Sequence, residues 1–320
     1  PVMEGKGVLF KVYGGVDAYD LELSCGTVES FVNTVKNLEP TFGGINLEDI
    51  RAPACFEIED RLKAEMDIPV MHDDQHGTAI ITGAALLNAL TFAGKELADI
   101  KVVVNGAGAS AIASGRFFKS LGVRADNILM ADSKGVIRSD RENLTELKAE
   151  FATDQHVNSL SEALEGADVF LGLSVGNALS PDMLKGMATN PVVFALANPI
   201  PEIDYHEAKN TRSDVIIATG RSDFPNQVNN VLGFPFIFRG ALDVQATQIN
   251  EPMKVAASEA IAYLAREPVP ADVLKAYGLD ELTFNPDYLI PKPMDPRLIT
   301  RVSAAVADAA IRSRAHRIRI

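Results

Sequence analysis

From residue 100 onward the chain alternates two hydrophobic patterns. Apolar runs ending in glycine or a polar turn are each followed by a stretch with apolar side chains at helical spacing. The runs are IKVVVNGAG (100–108), NILMADSKG (127–135), DVFLGLS (168–174), PVVFALANP (191–199) and DVIIATG (214–220). Continuous rather than alternating apolar residues predict strands covered on both faces. The spacing over 109–122 predicts a helix stopped by Gly122, and Ser159 with Glu162 three residues on predicts a capped helix over 159–167. Repeated units of this kind predict an α/β fold built on a doubly wound, mostly parallel Rossmann-type sheet.

The first hundred residues are less regular. GVLFKVYGGVDAYDLEL (7–23) reads as strand-like, 27–40 as a helix opened by Thr27, and 53–66 as a helix with Pro53 near its start. Two short strands, 43–50 and 68–74, each end in a pair of acids, and 78–94 is a long, largely apolar helix that must be buried. After residue 240 the pattern is mostly helical, with a Pro-rich loop at 284–296. The expected organisation is the remainder of a smaller N-terminal α/β part (1–75) and a doubly wound α/β domain (76–250). A helical C-terminal segment (251–320) is expected to pack back on the N-terminal part.

Composition narrows the function classes. With 320 residues, 47% of them hydrophobic and 23% charged, the chain can bury one large or two medium cores. A net charge of −13 argues against nucleic-acid binding, since the only dense basic run is terminal, at 312–320. Cys25 and Cys55 lie in no metal or redox spacing, which fits inert packing in a reducing compartment. No run reaches the ~18 apolar residues of a membrane span and no signal peptide is visible, so a cytoplasmic, membrane-free protein is expected.

Gly106-Ala107-Gly108-Ala109-Ser110-Ala111 is a G-x-G-x-x-A string between a strand and a helix. Its glycines allow close backbone approach to a pyrophosphate, and the helix start offers free N–H groups. Asp132 closes the next strand, where a carboxylate accepts ribose hydroxyls. Asp132 favours NAD, whereas nearby Ser133, Lys134 and Arg138 suit the 2′-phosphate of NADP, so both remain open.

Glu48-Asp49 and Asp73-Asp74 end separate strands, where ligands collect in open α/β sheets. Four carboxylates brought together need a counter-charge. Oxygen donors without thiolate suggest Mg²⁺ or Mn²⁺, while the plainer alternative is that each pair caps the following helix. His72 and His76 flank the second pair, but i, i+4 spacing favours a metal only on a helix, so His76 is expected to shape the turn.

The strings PVMEGKGVLFK, GGINLEDI, MHDDQHGTA, GAGASA, ALANP and NQVNN, in this order, resemble the malic enzymes in their bacterial version, over residues 1 to about 300. The resemblance implies oxidative decarboxylation of L-malate to pyruvate and CO₂ with NAD or NADP and a divalent cation. It implies Glu48, Asp49 and Asp74 as metal ligands, Lys6 as the catalytic lysine and Asp73 as an acid assisting proton transfer. Asn198 and Asn230 would hold substrate and nicotinamide, and Thr78 with Gly106, Ala107, Gly108, Ala109, Ser110, Ala111, Asp132 and Asn198 the dinucleotide. For Lys6 to act as base its pKa must fall by several units from about 10.4. The family's proton-donating tyrosine lies in a region preceding this match, and neither Tyr13 nor Tyr19 corresponds to it, so the chain is expected to be a piece of a longer protein. Larger bacterial members also carry a C-terminal phosphotransacetylase-like domain, and the family implies a homodimer or larger assembly. A metal-independent amino-acid dehydrogenase and a non-catalytic nucleotide-binding module are the competing readings.

Overall fold

The computed structural model describes residues 1–318; of the basic run 312–320, the last two residues lie outside the described part. Two compact units divide the chain. The first comprises residues 1–81, 230–281 and 291–320, and the second 82–229 and 282–290. The division falls at 81/82 and 229/230, and the segment 251–281 belongs to the same unit as the N-terminal residues.

The first unit opens with helix α1 (Val2–Gly14), where the sequence reads as strand-like. Its β-branched Val8 and Val12 are exposed, so they do not set the conformation. The buried face does: Phe10 packs edge-on against Phe234 and Phe238, with ring centroids 4.8 and 5.4 Å away. A Cβ on Gly14 would lie 2.7 Å from the Pro235 carbonyl oxygen, so only glycine lets the helix come this close. Tertiary packing here overrides propensity. Helix α2 (Val28–Lys36) is capped by Thr27, whose hydroxyl accepts from the Ser30 N–H at 3.1 Å. Strand β1 (Ile45–Leu47), helix α3 (Ala54–Glu65) and strand β2 (Val70–His72) follow, and β1 and β2 pair in parallel. Val32, Val35, Leu47, Ile58, Leu62 and Val70 form the core beneath them.

Helix α4 (Asp73–Ala93) begins directly after β2, five residues earlier than its apolar pattern suggests. Asp73 and Asp74 therefore stand in the first turn, where negative charge suits the positive end of the helix dipole. By length and composition α4 could cross a membrane, contrary to the sequence reading, but 72% of its most apolar stretch is buried within the fold.

The second unit holds strand β3 (Val102–Asn105), helix α5 (Ala109–Leu121), strands β4 (Ile128–Asp132) and β5 (Gly135–Val136), helices α6 (Glu146–Ala149) and α7 (Leu160–Leu164), strand β6 (Val169–Gly172), helix α8 (Pro181–Gly186), strand β7 (Val192–Ala195), helix α9 (Tyr205–Thr211) and strand β8 (Ile216–Thr219). The strand order is β5-β4-β3-β6-β7-β8, parallel throughout except for β5. All four residues of β3, β6, β7 and β8 are buried, as a sheet covered on both faces requires. The chain leaves β3 for β4 on one side, and β6 lies on the other, so β3/β6 is the switch point where α/β sheets bind ligands. The remaining helices, α10 (Phe234–Asp243), α11 (Glu251–Leu264), α12 (Ala271–Ala276) and α13 (Arg297–Arg312), return to the first unit, with α13 packed on α10 and α11.

Candidate active site

In the first unit α1, β1 and the start of α4 bring Lys6, Glu48 and Asp73 together. The Lys6 ammonium donates to Asp73 and lies 3.1 Å from Glu48 Oε2. Its stem leaves the ammonium 4.3 Å from the centre of the Phe234 ring. Asn46 on β1 donates to the same Glu48 oxygen at 3.1 Å. Asp74 accepts the Asp49 backbone N–H at 2.9 Å, tying the two acidic pairs to each other. Asp49 itself has left-handed backbone (φ 55), which redirects the chain after β1. Asn230 donates to Asp73 Oδ2 at 3.2 Å and accepts from the Thr78 hydroxyl at 3.3 Å. Gly77 allows this, since a Cβ there would meet the Asn230 amide at 2.6 Å.

The electrostatics follow from crowding. Burial first, then the neighbouring Asp73 and Asp74 charges, push Glu48 up to about 7 despite Lys6. Burial likewise raises Asp73 against the pull of Lys6 and Asn230. Burial alone would lower Lys6, but Asp73 and Glu48 outweigh it and the net shift is upward. Lys6 thus rests as an ammonium, because its carboxylate partners act more strongly than desolvation.

The histidines take other partners. His76 lies on α4, and its Nε2 sits 2.9 and 3.0 Å from the two oxygens of buried Glu59, with Lys254 Nζ 3.4 Å from Nδ1. Glu59 also accepts the His72 N–H at 3.0 Å, so one carboxylate braces both ends of the turn bearing Asp73 and Asp74. Neither Glu59 nor Asn46 carries a sequence signal, because each acts through a contact with a distant segment.

Among the described residues no group of three His, Cys, Asp or Glu side chains is arranged to hold a metal ion. The donor chemistry nonetheless fits one. Asp73 Oδ1 and His72 Nε2 are buried without a hydrogen bond, and Glu48 is destabilised as an anion by its acidic neighbours. A surplus of hard oxygen donors over one ammonium suits Mg²⁺ or Mn²⁺. A cavity of about 530 Å³ in this unit is lined by Lys6, Glu48 and Asp49 and by apolar Phe10, Phe31 and Phe238.

In the second unit the Gly106–Ala111 string lies at the β3/β6 switch point. Gly106 has φ 134, and a Cβ there would lie 2.7 Å from the Leu173 carbonyl oxygen; both facts demand glycine. Gly108 precedes the first turn of α5, so Ala109, Ser110 and Ala111 present helix-start N–H groups. Ala107 lies between the two glycines. Asp132 closes β4, but its carboxylate is occupied: Arg141 reaches it at 2.9 and 3.2 Å, Lys148 at 2.6 Å and the Lys134 N–H at 2.9 Å. Arg138 is engaged by Asp140 at 2.7 and 2.9 Å. Lys148 and Arg141 were not foreseeable from the motif. Asn198 follows β7, and its amide lies 3.5 Å from where a Cβ on Gly220 would stand, beyond the end of β8.

A doubly wound sheet carrying this loop at its switch point is a nicotinamide-dinucleotide-binding domain, and the class it defines is a dinucleotide-dependent oxidoreductase. Residues 75–274 match the model of the malic enzyme NAD binding domain and residues 24–63 that of the malic enzyme N-terminal domain. An NADP-dependent malic enzyme of Halomonas elongata is 57% identical over 98% of this chain and 74% of its own length. An NAD-dependent malic enzyme of Rhizobium meliloti is 55% identical over 98% of this chain, which spans only 41% of that longer relative. A malic enzyme structure from Pyrococcus horikoshii superposes with a TM-score of 0.90 over 100% of this chain and 73% of the other, at 39% identity. The chain belongs to the malic enzyme family, and the amino-acid dehydrogenase reading falls away.

Proposed function

We propose that the chain catalyses the oxidative decarboxylation of L-malate to pyruvate and CO₂, coupled to reduction of NADP and dependent on a divalent cation. One observation carries this reading: the half-buried Lys6 ammonium held between Glu48 and Asp73, with Asp74 tied to Asp49 beside them. A structural ion pair needs one carboxylate, and this lysine faces two with a third close by.

Oxidation at C2 of malate removes a hydride and the hydroxyl proton. Lys6 accepts that proton once its own has passed to Asp73, whose burial already favours the protonated form. Asn230, fixed by Asp73 and Thr78, presents its amide to a substrate carboxylate. Mg²⁺ or Mn²⁺ held by Glu48, Asp49 and Asp74 would supply Lewis-acid polarisation of the hydroxy acid's oxygens. The β-keto acid then loses CO₂, and the proton collected by Lys6 balances the one C3 takes up.

The Gly106–Ala111 loop binds the pyrophosphate, and Asn198 contacts the nicotinamide end. NADP is favoured over NAD because Asp132 is occupied: two cations and an N–H hold its lone pairs, leaving net positive charge where a 2′-phosphate would sit. A homodimer or larger assembly is part of the reading.

The test is malate-dependent reduction of NADP and NAD by the purified chain with Mn²⁺, and with EDTA in its place. Turnover with Mn²⁺, its loss with EDTA and a preference for NADP are expected. Dinucleotide binding with no turnover even when Mn²⁺ and malate are both present would leave a binding module instead.

A further inference from the structure

Glu202 is fully buried in the second unit and has no role in the reading above. An isolated buried carboxylate is costly, so its surroundings matter. Both side-chain oxygens accept backbone N–H groups, Oε1 from Ser174 at 3.3 Å and Oε2 from Ala197 at 3.0 Å. The backbone continues the zipper: the Leu179 N–H donates to the Glu202 carbonyl at 2.9 Å and the Asn177 N–H to the Pro201 carbonyl at 3.0 Å. Burial pushes the carboxyl up, while N–H groups of Ala197, Ser174 and Leu196 pull it back. Gly172, the last residue of β6, leaves the room, since a Cβ there would stand 2.7 Å from Glu202 Cγ.

These contacts lead to the glycine loop. Ser174 is tied to the end of β3 by the Asn105 amide, which donates to its hydroxyl at 2.8 Å. Leu173, one residue earlier, donates to the Asn105 carbonyl at 2.9 Å and presents the carbonyl oxygen against which Gly106 closes. On the other side Ala197 precedes Asn198. One carboxylate thus fixes the segments after β6 and β7, and through Leu173 the approach of the dinucleotide loop.

We infer that Glu202 is a positioning residue for dinucleotide binding, setting the segments 173–179 and 196–198 against the Gly106 loop through paired backbone hydrogen bonds. It rests on the second unit binding the dinucleotide. A carboxylate suits the task because both of its oxygens only accept; an amide of the same shape would turn an NH₂ toward one of the N–H donors.

The experiment is fluorescence titration of NADPH against the full chain and its Glu202→Gln variant, with steady-state kinetics beside it. The expected result is an affinity about tenfold weaker, as an unsatisfied buried donor predicts. KM for the dinucleotide should rise similarly, with kcat within about twofold. A variant that melts earlier yet binds NADPH as the parent does would reduce Glu202 to a structural residue and overturn the inference. Ser174→Ala, at an exposed position, cuts the Asn105 link and should weaken binding roughly threefold. If the Glu202 variant does not fold, unchanged affinity in Ser174→Ala overturns the inference by itself. A parent chain that binds no dinucleotide at all overturns the functional reading along with it.

Discussion

In the first unit Glu48 and Asp73 share a single lysine, and burial with the Asp73 and Asp74 charges forces Glu48 up to about 7. In the second, Asp132 meets two cations and is held at about 2, while Glu202 lies among backbone N–H groups. The first arrangement is short of positive charge and keeps protons near neutrality, which suits proton transfer to and from a substrate. The second is saturated, and its geometry is set by main chain, which suits a rigid cradle for a cofactor.

The largest effect that tests this contrast comes from Lys6→Met. Turnover should fall by about 10²–10⁴-fold, the usual span for loss of a general acid–base group, while NADPH affinity stays within about twofold. The variant also strands Asp73 without its cation, so stability should drop too. Lys6→Met/Asp73→Asn separates the two losses: thermal stability should recover and activity should not. Recovery of activity in the double variant would show that the lysine only neutralises Asp73.

Next comes Gly106→Ala. The position combines φ 134 with the Leu173 carbonyl 2.7 Å from the added carbon. Backbone strain of about 1–3 kcal/mol predicts dinucleotide binding weakened by roughly 10- to 100-fold. Decarboxylation of added oxaloacetate, which needs no hydride transfer, should be untouched. An equal fall in both activities would mean that the units are not separable in this way.

How far the sequence foretold these features depends on where the information lies. The parallel sheet was legible because each strand is buried on both faces, so its apolar run survives in one dimension, as in Val102–Val104 and Val192–Ala195. The glycine loop was legible because backbone demands at Gly106 leave no other residue. Residues 7–14 read as strand in one dimension because their valines point outward and the helix is set by Phe10 against Phe234 and Phe238, over two hundred residues away. The apolar pattern puts the start of α4 late because Asp73 and Asp74 belong to a helix turn that it does not mark. The upward shift of Lys6 was hidden as well, since it depends on Asp73, 67 positions distant. Glu59, Arg141, Lys148 and Glu202 share that reason: ordinary charged residues gain their roles from partners that folding supplies.

The smallest effect concerns Asp132 and pH. Burial pushes its carboxyl up, but Lys148, the Lys134 N–H and Arg141 outweigh burial and hold it at about 2, below the ordinary 3.8. A carboxylate depressed on folding binds protons more readily in the unfolded chain. Its stabilisation is therefore complete above about pH 4 and lost as pH falls toward 2. Asp132→Asn removes the contribution, so the variant should melt slightly earlier than the parent at pH 7 and lose less of its midpoint between pH 4 and 2. Because the asparagine leaves Lys148 and Arg141 uncompensated, selectivity for NADP over NAD should rise in the same variant. Thermal melts across that window, with KM for both dinucleotides, read the two outcomes separately. Parallel melting curves would show that Asp132 is no better satisfied folded than unfolded, and the contrast with Glu48 would then rest on the first unit alone.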